Sequence, residues 1–233
     1  MIKGLAFDFD HTLYDRDATY ENMLESFLQF FAPYLRKDIS PQEVLSTIQT
    51  CDRTGIYKDA HWEGIYRDTL ESGIFAVHPS YEVYYEGYIK GHYPQSIVLY
   101  SDTLSALDEL RQMGCKVAIL TNGPSAYQHA KLEQIGLSAH VDAIVVGGDL
   151  PNPKPHPDAF AEVCRQMGCL PEEAAYVGDN PINDVDGPRK VGMTAIWFRS
   201  VGIWLDGVAP AEYAVDRLSE LPALVQKINS PCI

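Results

Sequence analysis

The chain has 233 residues, 46% of them hydrophobic and 21% charged, which is enough apolar surface for a large core and enough charge to stay dissolved. Its formal net charge of -14 excludes a nucleic-acid backbone as the main partner, because such binding rests on basic patches; phosphorylated small molecules stay open, since a local metal ion can dominate a site. The five cysteines (Cys51, Cys115, Cys164, Cys169 and Cys232) form neither a CxxC pair nor a disulfide framework, no apolar run reaches the roughly 20 residues of a membrane span, and no leader precedes the first strand, so a cytoplasmic protein with reduced thiols is expected.

Ile2 and Leu5-Ala6-Phe7 form a short apolar run that ends abruptly in Asp8-Phe9-Asp10-His11-Thr12. This reads as a buried strand emerging at a sheet edge. Side chains two apart in an extended segment point the same way, so Asp8 and Asp10 are expected to converge on one ligand. Carboxylates so crowded need a cation or a shared proton between them. A turn is expected over residues 14–16. Tyr20, Met23, Leu24, Phe27, Leu28 and Phe31 then recur at helical spacing, up to Ala32-Pro33. Ser40-Pro41-Gln42-Glu43 combines a capping serine, a proline at the first helical position and a glutamate three on. A third helix carries Trp62, Ile65, Tyr66 and Leu70 and stops at Gly73; a fourth carries Tyr81, Tyr84, Tyr85, Tyr88 and Ile89 and stops at Gly91.

The rhythm changes after Tyr93-Pro94. A helix with Leu104, Leu107 and Leu110 precedes the strand 116–120, and a helix over 125–135 follows it, with Gly136 as its cap. Strands at 143–146, 174–177 and 194–198 alternate with helices at 158–167 and up to Val191, and a weak strand near Ala214-Val215 leads to a last helix over 218–228. Such alternation defines an α/β fold with a doubly wound parallel sheet. The expected division is a core of residues 1–16 and 94–233 and a helical insertion of residues 17–93.

Three further strands end in polar groups. Thr121-Asn122-Gly123 precedes a helix N-terminus, where unpaired N–H groups suit an anion. Lys154 stands in a proline-braced loop, Asn152-Pro153-Lys154-Pro155-His156-Pro157. Gly178-Asp179-Asn180-Pro181-Ile182-Asn183-Asp184 adds two carboxylates. Each alone has an ordinary explanation, helix capping for the first and third and a solvated lysine for the second. Together they put Asp8, Asp10, Thr121, Lys154, Asp179 and Asp184 at one edge of one sheet. Oxygen ligands of this kind fit magnesium and phosphate chemistry.

These motifs, in this order, resemble the haloacid dehalogenase superfamily: Asp8, Asp10 and Thr12 in the first, Thr121 in the second, Lys154 in the third, and Gly178, Asp179 and Asp184 in the fourth. The resemblance spans the chain and implies a Rossmann-like core with a helical cap of the C1 type. It implies a Mg²⁺-dependent phosphatase in which Asp8 attacks phosphorus to form an aspartyl-phosphate, and Asp10 protonates the leaving group and then activates water. It places the metal on Asp8, the main-chain carbonyl of Asp10 and Asp179, and the phosphoryl group on Thr121, Lys154 and the backbone near Asn122. Asp184 and Thr12 would stand behind these, Asp184 acting through water or by orienting Lys154. The implied partner is a small phosphorylated metabolite, either a nucleoside monophosphate or a sugar- or glycolate-type phosphate. A sugar-phosphate mutase shares all four motifs. A non-catalytic phosphate-binding regulatory module predicts a damaged motif, and a dehalogenase lacks the second aspartate. Two positions depart from the family: His11 stands where Gly, Asn or Asp is usual, a position expected either to need positive φ, the favoured reading, or to touch substrate; and Gly187-Pro188 replaces Gly-Ala, so a break or late helix start is expected there. The cap aromatics are expected to be mostly core, with Arg53 and His61 available to a substrate anion.

Overall fold

The computed structural model describes residues 1–54, 61–199, 204–205 and 207–230; Cys232 lies outside them. The chain forms two compact units, Met1–Tyr14 with Leu99–Ile233, and Asp15–Val98. β1 (Gly4–Phe7) is followed by β2 (Tyr14–Asp15), α1 (Arg16–Phe31), α2 (Pro41–Thr54) and α3 (His61–Glu71), then by a π-helical stretch, Glu82–Ile89, that continues into α4 (Lys90–Ser96). β3 (Val98–Leu99) leads back to α5 (Thr103–Gln112), β4 (Lys116–Thr121), α6 (Ser125–Gln134), β5 (Ala143–Val146), α7 (Pro157–Met167) and β6 (Ala174–Gly178). A second π-helical stretch, Pro181–Asp186, precedes α8 (Gly187–Arg189), β7 (Thr194–Phe198), β8 (Tyr213–Val215) and α9 (Leu221–Asn229).

Six strands of the first unit form one sheet in the order β5-β4-β1-β6-β7-β8, and every neighbouring pair is parallel. The alternating pattern of the sequence is thus the doubly wound α/β fold. β1 and β6 are buried along their whole length, as strands covered on both faces must be. On one face Ala159, Phe160, Val163, Cys164 and Met167 of α7 cluster with Ala6, Ala118, Leu120, Ala174 and Tyr176. In register, Phe7 lies opposite Ile119 on one side and Val177 on the other. Asp8, Thr121 and Asp179 therefore leave three adjacent strands at the same edge.

The units meet the chain at Tyr14/Asp15 and Val98/Leu99 rather than at 16/17 and 93/94. No turn occupies residues 14–16. Tyr14 and Asp15 are extended, and the Asp15 carboxylate caps α1 by accepting the Ala18 N–H at 3.0 Å. At the other end the helix does not stop at Gly91 but runs through Pro94 to Ser96. Glycine and proline disfavour a helix interior, and tertiary contacts override them here. Tyr93 is fully buried, and Asn22 of α1 holds the helix end by donating to the Ser96 carbonyl at 3.0 Å.

Within the second unit Tyr20, Phe27, Phe31, Phe75, Tyr84, Tyr88 and Tyr93 are core, whereas Trp62, Tyr66, Tyr81 and Tyr85 are half-buried and Phe30 is exposed, so the expectation of mostly core aromatics holds only in part. Phe31 packs on Phe27, Tyr88 and Tyr84, with ring centroids 4.5, 5.2 and 5.7 Å away. The Ser40–Glu43 capping box forms, with Ser40 N–H donating to Glu43 at 2.9 Å and Glu43 N–H to the Ser40 hydroxyl at 3.2 Å. Arg53 donates to Asp17, and His61 Nε2 lies 2.9 Å from Arg16 and 3.2 Å from Asp52, so neither is a bare cation. Among the described residues no helix is long and apolar enough to cross a membrane.

Candidate active site

β1 ends at Phe7, and the chain then turns tightly. Thr12 and Leu13 N–H both bond the Phe9 carbonyl, at 3.3 and 3.0 Å, and His11 takes φ +63°. Histidine stands where a left-handed residue is needed, and a short polar or imidazole side chain tolerates that region better than a branched one. The same turn corrects the expectation that Asp8 and Asp10 point together. The i, i+2 rule holds for extended backbone only, and the two carboxylates find different partners.

Asp8 faces Lys154. The Lys154 ammonium is buried and uses all three N–H groups: on Asp8 Oδ1 at 2.8 Å, Asp184 Oδ1 at 2.7 Å and the Tyr176 hydroxyl at 2.7 Å. Tyr176 in turn donates to the Leu120 carbonyl at 2.6 Å. The lysine loop is clamped from behind by Asn122. Its side-chain amide donates to the Lys154 carbonyl at 2.9 Å and accepts the Lys154 N–H at 3.0 Å, so this side chain serves the lysine backbone. Asp184 arrives from the π-helical turn after β6. A Cβ on Gly178 would meet the Asp184 carboxyl carbon at 2.5 Å, so only glycine lets that carboxylate lie against the strand end. Asp184 also accepts the Asn180 N–H at 3.0 Å, and Asn180 caps the turn through Ile182 and Asn183 N–H. The break or late helix start expected at Gly187-Pro188 is not found: Asp186 and Gly187 are both right-handed helical, the π-helical turn runs straight into α8, and Pro188 is the second of its three residues.

Carboxylate oxygens of Asp8, Asp179 and Asp184 all lie within 4.8 Å of one another. Thr12, fully buried, donates to Asp179 at 3.4 Å, and Trp197 Nε1 donates to the Asp179 carbonyl at 3.0 Å. Three carboxylates share one ammonium, so ionised the cluster carries excess negative charge in a poorly hydrated place. Burial pushes the Asp8 carboxyl up to about 7, with Asp184 and Asp10 adding to the effect and Lys154 opposing it. Burial, then Asp184 and Asp8, push Asp179 well above the ordinary carboxylate range. Burial alone would lower Lys154, but Asp184 and Asp8 outweigh it and hold the ammonium well above its usual value. A compact all-oxygen set with surplus charge suits a hard divalent cation.

Asp10 lies in a second cluster built by α6. Its Oδ1 accepts from Lys131 Nζ at 2.6 Å and from the Tyr14 hydroxyl. Its Oδ2 accepts from Gln128 Nε2 at 2.9 Å, and the same amide nitrogen lies 2.8 Å from the Thr121 hydroxyl and 2.5 Å from the Asn122 carbonyl. Thr121 is buried at the end of β4, beside Gly123, whose φ of +116° opens the turn into α6. Lys131, Gln128, Tyr14 and Tyr176 are absent from the motif reading. A signal exists for two of them: α6 buries Tyr127, Gln128, Lys131 and Leu132, so a glutamine and a lysine occupy positions that helical spacing assigns to the core.

Residues 5–198 match the family model of haloacid dehalogenase-like hydrolases. The chain belongs to that family. It is 29% identical to the N-acylneuraminate-9-phosphatase of Rattus norvegicus, over 98% of this chain and 95% of the rat protein. It is 28% identical to the glyceraldehyde 3-phosphate phosphatase of Methanopyrus kandleri, over 85% of this chain and 84% of that one. Among solved structures, a HAD phosphatase from Thermococcus onnurineus superposes with a TM-score of 0.65 at 27% identity, covering 96% of this chain and 98% of the other. Family and relatives together define an enzyme, a phosphoric monoester hydrolase.

Proposed function

We propose that this protein is a divalent-metal-dependent phosphatase of small phosphorylated metabolites, working through an aspartyl-phosphate on Asp8. The observation that carries the reading is the buried convergence of Asp8, Asp179 and Asp184 around Lys154 at the carboxyl edge of a parallel sheet. Asp8 is the nucleophile: one carboxylate oxygen attacks phosphorus as the bond to the leaving oxygen breaks. Asp10 gives that oxygen a proton, then takes one from the water that cleaves the acyl-phosphate and frees Asp8. Lys154 and Thr121, with the backbone N–H groups of Asn122 and Gly123, hold the phosphoryl oxygens where charge builds up. Asp8, Asp179 and the Asp10 carbonyl would hold magnesium, which when bound supplies charge neutralisation for the anionic nucleophile and phosphoryl group. Asp184 orients Lys154.

The unit Asp15–Val98 acts as the cap that selects the leaving group. The two relatives compared above act, by their names, on a sugar-acid phosphate and a triose phosphate, which supports a sugar-type phosphate over a nucleoside monophosphate. The test is hydrolysis of 4-nitrophenyl phosphate with Mg²⁺. Wild type turns over and Asp8→Asn does not; equal rates overturn the reading.

A further inference from the structure

Lys131 is a second buried lysine in the catalytic unit, on α6, and it belongs to none of the motifs that define the family resemblance. Burying an ammonium is costly unless it is paired and hydrogen-bonded. Its carboxylate partner is Asp10, at 2.6 Å. The ammonium also lies 4.9 Å from the ring centroid of Phe9 and 5.4 Å from those of Tyr14 and Tyr127, an aromatic wall on several sides. An ammonium held by three rings and a carboxylate has little freedom, and so neither does the carboxylate.

We infer that Lys131 is a positioning residue for proton transfer: with Tyr14 it fixes Oδ1 of Asp10, so that proton exchange with the leaving group and with water runs through Oδ2. Oδ1 receives two donors, Lys131 and Tyr14, which fill its two lone-pair directions. Oδ2 receives Gln128, whose amide nitrogen also reaches the Thr121 hydroxyl. The carboxyl plane of Asp10 is thereby tied to α6 at both oxygens, by Lys131 at one and by Gln128 at the other, and Gln128 also reaches Thr121, the residue that grips the phosphoryl group. The step balances as follows. The proton on Oδ2 passes to the leaving oxygen as its bond to phosphorus breaks. The carboxylate left behind takes one proton from the attacking water while the bond between phosphorus and Asp8 breaks, which restores the acid. This rests on the phosphatase reading above, and it adds that the geometry of the acid is set by a lysine outside the motifs.

A merely structural lysine and a positioning lysine differ in leaving-group dependence. Proton donation matters more for a poor leaving group than for a good one, and general acid catalysis is worth about 10²–10⁴-fold. The experiment compares kcat/KM for phenyl phosphate and 4-nitrophenyl phosphate, with Mg²⁺, in wild type, Lys131→Met and Lys131→Arg. In Lys131→Met the loss on phenyl phosphate is expected to exceed that on 4-nitrophenyl phosphate by about 10-fold or more. Lys131→Arg, which keeps a cationic donor, recovers part of the difference. Where methionine prevents folding, Lys131→Gln serves in its place, with the same selective loss. Equal losses on both esters, or no loss, overturn the inference while leaving the phosphatase reading intact. Wild type inactive on both overturns that reading, and this inference with it.

Discussion

Lys154→Met is the sharpest stability test of the site. The lysine makes three hydrogen bonds of 2.7–2.8 Å, to Asp8, Asp184 and Tyr176, and its side chain is 2% exposed. Methionine keeps the volume and removes the charge and all three donors. Asp8 and Asp184 are then left buried without their cation, and Tyr176 loses a donor. Breaking a buried pair in this way costs about 3–5 kcal/mol, against a total of about 5–15 kcal/mol for an ordinary domain. The assay is urea denaturation in EDTA at pH 7.5, with the midpoint shifting and the slope m unchanged. The deficit should shrink at pH 5, because Asp8 can then take a proton and shed its charge. The folded pKa of Asp8 already stands above its unfolded value with Lys154 in place, and losing the lysine raises it further. Stability in the variant therefore falls more steeply as pH rises above the unfolded carboxylate range. A loss under about 1 kcal/mol at pH 7.5 would refute the claim that this lysine neutralises the cluster.

Two more expectations concern the same cluster. Asp8 is raised from 3.8 to about 7, so between those values the folded metal-free protein binds more protons than the unfolded chain and grows less stable as pH rises. Thermal melts in EDTA should fall from pH 4 to 7 on this account, and Mg²⁺ should raise the melting temperature most at and above pH 7; a cation effect equal at pH 5 and pH 8 contradicts the assignment. Gly178→Ala forces a Cβ to within 2.5 Å of the Asp184 carboxyl group, so it should cost about 1–3 kcal/mol by overpacking and reduce turnover along with stability. Wild-type melting and activity in Gly178→Ala would show that Asp184 need not lie against the strand end.

Much of the fold is legible because it is local. Ala143–Val146 and Thr194–Phe198 are strands with the limits that their apolar runs suggest. Gly136 takes positive φ beyond its helix end, where the sequence puts a cap. What is not legible depends on partners distant in sequence. The continuation of α4 past Gly91 and Pro94 reflects burial of Tyr93 and a bond from Asn22, more than 70 positions earlier. In the site, the strand ends that carry Asp8, Thr121 and Asp179 can be read one at a time, since each is an apolar run stopping in a polar group. The grip of Lys131 and Gln128 on Asp10 spans 121 and 118 positions, and no local pattern encodes such a contact. Nor does a period-two rule anticipate the turn after Phe7, which sends Asp8 and Asp10 to different neighbours.

The place of β1 has a consequence for how the site comes into being. Gly4 pairs with Lys116 on one side and with Ala174 on the other, so the strand carrying the nucleophile lies between segments made long after it. Closing such loops is slow, and it ties the strand to the late part of folding. During synthesis an apolar strand ending in two aspartates waits until residue 178 has left the ribosome before both its neighbours exist. Until then Asp8 has no Lys154 or Asp184 beside it in a finished sheet, and nothing desolvates it. The reactive carboxylate is thus assembled only once β6 and the turn carrying Asp184 have been made, and no fragment ending before β6 should bind a divalent cation as the whole chain does.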